Sequence, residues 1–236
     1  MDEAGKRLAI AGASSGIGAE VARAAWASGW SLALGSRRTE LLEELAAGLG
    51  AEPVVEGQQV VAHRLDVTDW DDQQAFVAAC QETMGGIDAG FANAGFGAPR
   101  GFLESTPEHW RDMVLTNVYG CALTIRAMLP AIQESRGHMV LTGSVAGRRV
   151  LPGSLYSATK WSVTAMAEAL RQEVGDSGVR VTLIGPGMVD TPFFDDGTPE
   201  WALEPGDVAS AVMYALEQPA RVDVNEILLR PTLQVV

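Results

Sequence analysis

The 236-residue chain has few of the side chains that staple a fold or bind a metal. Its two cysteines, Cys80 and Cys121, cannot make a disulfide framework, and each reads as a small buried hydrophobe. Its three histidines, His63, His109 and His138, are scattered and suggest no ligand cluster. Cations are scarce: 17 Lys and Arg against 30 Asp and Glu leave a formal net charge of −13. That balance favours solubility and argues against a nucleic-acid backbone as partner. No uninterrupted apolar run approaches the ~20 residues of a membrane span, so no membrane is expected. The opening stretch MDEAGKRLAI lacks the pattern of a secretory leader, and a cytoplasmic location is the expectation. Repeats, low-complexity segments and Pro/Gly/Ser-rich linkers are missing, so one domain over 1–236 is expected.

What the chain does contain is an alternation. The stretches RLAIAGA, SLALGS, QVVAHRLDV, GIDAGFANAG, GHMVLTGS, GVRVTLIGPG and NEILLRP read as seven strands. Helix-like stretches lie between them, including about Gly16 to Ser28, TELLEELAAGL, DWDDQQAFVAACQETM, about Pro107 to Ser135, and YSATK onward to about Val174. Pro130 is expected to bend or end the longest of these. The spacing implies βαβ units: an α/β fold, doubly wound and Rossmann-type, with a mostly parallel sheet and helices on both faces. Ligands of such sheets sit beyond the carboxyl ends of the strands.

The first strand exit is AGASSGIG, with Gly12, Gly16 and Gly18 at a strand-to-helix turn. Glycines allow a tight turn and close backbone approach, and the helix start offers free N–H groups to a pyrophosphate. The second strand ends in Ser36, Arg37 and Arg38, with no Asp or Glu. A carboxylate there would bind the ribose 2′-hydroxyl of NAD. A guanidinium instead pairs with a 2′-phosphate. Arg37 therefore reads as an NADP clamp with Ser36 beside it, and Arg38 either assists or covers the adenine.

Asn117, in VLTNVYG, is costly inside a helix and needs a partner. Tyr156 and Lys160 are four residues apart on one helix face. An ammonium near a phenol favours the phenolate. Ser144 closes the fifth strand. After the sixth strand, residues 188–204 read as a lid, with Phe193, Phe194 and Trp201 either lining a pocket or packing on the body. Arg148 and Arg149 read as exposed, with an acidic substrate as the alternative.

Taken in order, these motifs resemble the short-chain dehydrogenase/reductase family over nearly the whole chain. The glycine spacing Gly-x-x-x-Gly-x-Gly fits, with Ala11 where the family has Thr and Ala92 where it has the first Asn of Asn-Asn-Ala-Gly. The resemblance implies NADP(H) as cofactor, held by Ser14, Ser15 and Ile17 of the glycine turn, by Asp66 and Val67 at the adenine, and by Asn93, Ala94 and Gly95. Pro186, Gly187, Val189 and Thr191 would complete that site. It implies Tyr156 as general acid or base, Lys160 lowering its pKa and hydrogen-bonding the nicotinamide ribose, with Tyr156 and Lys160 both in the cofactor site, Ser144 polarising the carbonyl, and Asn117 holding a relay water. Phe96, Val145, Leu151 and Phe193 match positions bordering substrate.

The expected activity is carbonyl–alcohol interconversion by hydride transfer on a small molecule, without metal. Epimerisation, dehydration and a non-catalytic NADP-binding sensor remain as alternatives. The chain ending VNEILLRPTLQ resembles a subgroup of 3-hydroxy acid and clavulanate dehydrogenase-like reductases. The Ala-rich helix that carries Tyr156 has apolar residues on several faces. With it the resemblance implies a homodimer or homotetramer.

Overall fold

The computed structural model describes residues 6–194 and 197–234. Seven strands form one sheet: β1 (Arg7–Ala11), β2 (Ser31–Ser36), β3 (Val60–Arg64), β4 (Ala89–Ala92), β5 (His138–Thr142), β6 (Arg180–Pro186) and β7 (Glu226–Leu229). Their order is β3-β2-β1-β4-β5-β6-β7, and every neighbouring pair is parallel. This is the doubly wound Rossmann-type arrangement, with the order reversing between β1 and β4.

The strand sequences explain their place. Within β1, Ala9 and Ala11 join one buried cluster while Leu8 and Ile10 join the other. Side chains alternate between faces, and a sheet covered on both faces can be apolar at every position. One face is covered by α1 (Gly16–Ala27), α2 (Thr39–Gly50) and α7 (Pro205–Leu216), which supply Val21, Trp26, Leu42, Val208 and Val212. The other is covered by α3 (Trp70–Met84), α5 (Cys121–Ser135) and α6 (Leu155–Glu173), which supply Phe76, Met128, Ile132, Val163 and Leu170.

Side chains set where helices begin. Asp69 accepts from Asp72 N at the start of α3, and Ser154 accepts from Ser157 N at the start of α6. The stretch expected as one long helix is composite. Helix α4 (Pro107–Val114) runs into a π-helical segment, Leu115–Gly120, and then into α5. Pro130 does not end it, since α5 continues to Ser135. The departure from α-helical winding comes earlier, at Leu115–Gly120.

Pro107–Ser135 is also long and apolar enough to cross a membrane by length and composition, with 44% of its most apolar window buried in the protein. Sequence inspection for uninterrupted apolar runs does not detect it, because Thr, Asn and Gly punctuate the segment. Its buried residues Met128 and Ile132 pack in the core shared with α3 and α6.

Candidate active site

A cavity of about 860 Å³ opens along the carboxyl ends of the strands, from β3 to β6. Nearly all residues singled out from the sequence line it.

At the exit of β1, Gly12 has φ +89°, and a Cβ there would lie 2.7 Å from Ala94 N. Only glycine lets the turn lie this close to the β4 exit. The next residues, Ser14, Ser15, Gly16 and Ile17, line the cavity at the start of α1. Gly18 lies behind it, tight against the Gly12 carbonyl and Asn93. Asn93 holds this arrangement: Nδ2 donates to Gly12 O at 2.9 Å, and Oδ1 accepts from Thr142 Oγ1 at 2.9 Å. It thereby ties the exits of β1, β4 and β5. Ala94 and Gly95 follow it along the wall.

At the exit of β2, a polar cluster faces the same space. Ser14 Oγ and Ser36 Oγ are 2.8 Å apart. The Arg38 guanidinium donates to Ser14 Oγ at 2.8 and 3.0 Å and to Ser15 Oγ at 2.5 Å. Arg38 thus bridges the two loops, a link the sequence does not announce. Arg37 also lines the cavity, and its side chain makes no hydrogen bond among the described residues. Asp66 lies below its ordinary pKa: burial pushes it up, but hydrogen bonds from the Thr68 N–H and hydroxyl, with the charges of Arg37 and Arg64, outweigh that. Val67 borders the same end.

Across the cavity are Ser144, Val145, Leu151, Tyr156 and Lys160. Ser144 follows β5 and caps a short 3₁₀ turn, Val145–Gly147, accepting from Ala146 N at 3.1 Å. Lys160 is buried, and its Nζ donates to the Thr142 carbonyl at 2.8 Å. Burial pulls its pKa down to about 8. The Tyr156 phenol is pushed up to about 12 by burial, against a hydrogen bond with Ser144. The depressed phenol expected from the Tyr-Lys spacing is therefore not present in this state. Nζ lies 5.8 Å from the ring centre and is engaged by a backbone carbonyl, so desolvation dominates.

Asn117 sits on the π-helical segment, buried and outside the cavity lining. Its Oδ1 accepts from Phe96 N at 3.0 Å, and its Nδ2 donates to Phe96 O at 2.8 Å and Thr159 Oγ1 at 3.1 Å. Thr159 in turn donates to Tyr156 O at 2.8 Å. The amide thus clamps the loop after β4 to the helix of Tyr156 rather than bonding its own helix. Sequence reasoning passed over Thr159; its position within SATK, three residues after Tyr156, was the available signal.

The exit of β6 brings Pro186, Gly187, Val189 and Thr191 to the cavity. Phe193 and Phe194 line it too, and the Phe193 ring meets Tyr156 edge-on at 5.7 Å. Trp201 is not among the lining residues. Asp195 and Asp196, within the stretch expected as a lid, lie outside the described residues. Arg148 and Arg149 do not line the cavity, and Arg148 forms a two-pronged pair with Glu226 at 2.7 Å for both contacts. Among the described residues, no cluster of His, Cys, Asp and Glu is arranged to hold a metal.

A family model described as short chain dehydrogenase matches residues 6–200. The chain belongs to the short-chain dehydrogenase family. Human dehydrogenase/reductase SDR family member 11 is 36% identical over 250 residues, covering 97% of this chain and 95% of that protein. Among solved structures, an alcohol dehydrogenase from the archaeon Thermococcus sibiricus, complexed with 5-hydroxy-NADP, is similar with TM-score 0.90 and 33% identity, covering 97% of each chain. Serine dehydrogenase from Escherichia coli is similar with TM-score 0.86 and 29% identity, covering 98% of this dehydrogenase and 100% of that chain.

Proposed function

We propose that this short-chain dehydrogenase is an NADP-dependent oxidoreductase that interconverts a carbonyl compound and an alcohol. The observation that carries the reading is that Ser144, Tyr156 and Lys160 face one cavity continuous with the glycine turn at the start of α1. The residues fit a dinucleotide. Glycine-only backbone at Gly12 opens a cradle beside the N-terminus of α1. Ser36, Arg37 and Arg38 supply hydroxyl and guanidinium groups, with no carboxylate, where a 2′-phosphate would lie. The NADP analogue in the archaeal relative agrees with that chemistry.

When bound, NADPH supplies the hydride that the carbonyl carbon receives. The chain's own groups handle the oxygen. Ser144 donates a hydrogen bond to it and Tyr156 delivers the proton, so the products are an alcohol and a tyrosinate. A phenol raised to about 12 is fully protonated at neutral pH, the form a general acid needs. Lys160, close by and buried, stabilises the tyrosinate that results and can reprotonate it. Oxidation of the alcohol reverses these roles.

The chain acts as one domain in this reading, with residues 188–204 as a lid whose Phe193 closes on Tyr156. The chain ending and the likeness to serine dehydrogenase support a reading as a reductase of the 3-hydroxy acid dehydrogenase-like subgroup. The half-exposed residues Leu115, Tyr119 and Trp161 on two neighbouring helices fit a contact with a second copy.

The test is oxidation of NADPH and NADH by the purified protein across ketones, aldehydes and oxo acids. Turnover with NADPH and a carbonyl, lost in Tyr156→Phe, supports the reading. Tight NADPH binding without turnover on any carbonyl overturns it in favour of a binding protein. Conversion without net cofactor consumption overturns it in favour of an epimerase or dehydratase.

A further inference from the structure

The cavity is basic in a protein of net charge −13. Its lining holds Arg37, Arg38, Arg100 and Lys160 against one described carboxylate, Asp66. Three of those cations have evident work. Arg37 and Arg38 stand at the exit of β2, and Lys160 is turned onto the Thr142 carbonyl. Arg100 stands apart from them, on the loop after β4. Its side chain makes no hydrogen bond or ion pair among the described residues. Arg148, the other cation near Ser144 in sequence, is neutralised by Glu226.

The backbone next to Arg100 is fixed. Gly101 N donates to Gly153 O at 2.8 Å, and a Cβ on Gly153 (φ +62°) would lie 2.7 Å from Gly101 N. The two loops are in backbone contact, and Gly153 immediately precedes the helix cap that starts the Tyr156 helix. Arg100 therefore borders the cavity beside the loop that leads into the Tyr156 helix. Phe96, Leu151 and Phe193 give the lining apolar surface, with the Phe193 ring against Tyr156, and His109 and Ser154 line it as well.

We propose that Arg100 is a substrate-binding residue that pairs with a carboxylate, so that the substrate is a short oxo or hydroxy acid with an apolar carbon chain. This rests on the reading of the cavity as an oxidoreductase site. A carboxylate takes two parallel hydrogen bonds from a guanidinium, which fixes the orientation of the molecule as well as its affinity. In a protein this acidic, an anion must also overcome repulsion from the surface, and a cation at the rim lowers that barrier. Phe96, Leu151 and Phe193 offer apolar surface to the carbon chain while its carbonyl reaches Ser144 and Tyr156.

The experiment uses a probe that does not react. Pentanoate and its neutral isostere pentanamide are titrated calorimetrically into the NADP⁺-saturated protein, in wild type, Arg100→Ala and Arg100→Lys. Pentanoate is expected to bind about tenfold or more tightly than pentanamide, a preference that Arg100→Ala removes and Arg100→Lys partly restores. Equal affinities in the wild type, including no measurable binding of either, overturn the proposal, as does a preference that survives Arg100→Ala. The readout is independent of turnover. An Arg100-dependent preference for pentanoate in a protein that reduces no carbonyl would leave the anion site standing and overturn the oxidoreductase reading. Reduction of neutral ketones without any pentanoate preference would do the reverse.

Discussion

Lys160 Nζ stands 5.8 Å from the centre of the Tyr156 ring and donates instead to the Thr142 carbonyl, at 2.8 Å. The two catalytic candidates are thus neighbours without being hydrogen-bonded partners. Burial drives both toward neutrality, Lys160 down to about 8 and Tyr156 up to about 12. The pair is arranged so that a proton leaving Tyr156 creates a charge beside an ammonium. Tyr156→Phe removes the proton donor and leaves the glycine turn and the β2 exit untouched. NADPH-dependent reduction is expected to fall by ~10²–10⁴-fold. NADPH affinity, read by fluorescence titration, is expected to change little.

Arg37 and Arg38 make different contacts and should fail differently. Arg38 already bridges Ser14 and Ser15, so its loss loosens the wall of the cavity for any cofactor. Arg37 makes no such bridge. Arg37→Ala is expected to weaken NADPH by about 10–100-fold, the worth of a hydrogen-bonded charge pair, and to leave NADH nearly unchanged. The ratio of kcat/KM for the two cofactors checks this. A variant that weakens both equally would assign Arg37 a structural role.

Asn117 satisfies the backbone of Phe96 on both sides and reaches Thr159 on the helix of Tyr156. Asn117→Ala leaves a buried N–H and a C=O without these partners. The expected cost is ~1–3 kcal/mol of stability, seen as a lower denaturant midpoint. Because the same clamp positions the wall facing Tyr156, kcat should fall along with stability. Full activity in a folded Asn117→Ala variant would show that the clamp has no bearing on catalysis.

Much of this was legible in the chain because local signals coincided with buried surfaces. SLALGS is bounded as β2 from Ser31 to Ser36, since a strand covered on both faces is an apolar run with polar ends. The glycines of the β1 exit were readable because close backbone approach admits no other residue. The π-helical winding at Leu115–Gly120 was not readable. Nothing in LTNVYG distinguishes it from α-helix, and an extra residue per turn is decided by what packs around it. The acceptor for Lys160 is a backbone carbonyl, which has no side-chain signature. The partner of Arg148 is Glu226, 78 positions away, and such pairings exist only once β7 has joined the sheet.

The proposed self-association can be tested at its candidate contact residues. Leu115, Tyr119 and Trp161 are 40%, 49% and 43% exposed. Trp161→Asp together with Leu115→Asp places charges on that face without touching the cavity. The wild type is expected to sediment as a dimer or tetramer and the double variant as a smaller species, with its circular dichroism retained. A wild-type monomer by analytical ultracentrifugation would overturn the oligomer reading.

His138 offers a pH test of the fold itself. It is buried in β5, with Nε2 2.7 Å from Thr182 Oγ1 and Nδ1 without a partner among the described residues. Burial, aided by the charge of Arg180, pulls its pKa from 6.5 down to about 3. The folded protein therefore holds this ring neutral where the unfolded chain protonates it. The unfolded state binds more protons between these values, so stability is full above pH 6.5 and drains away as pH falls toward 3. By pH 5 the loss from this one group amounts to about 2 kcal/mol. His138→Leu removes the titration and also leaves the Thr182 hydroxyl with only its bond to the Val224 carbonyl, at 2.6 Å. The variant is expected to be less stable at pH 8 but to lose less between pH 7 and pH 5 than the wild type does. Urea unfolding at the three pH values separates the two effects, and parallel pH dependences would show that His138 does not govern acid stability.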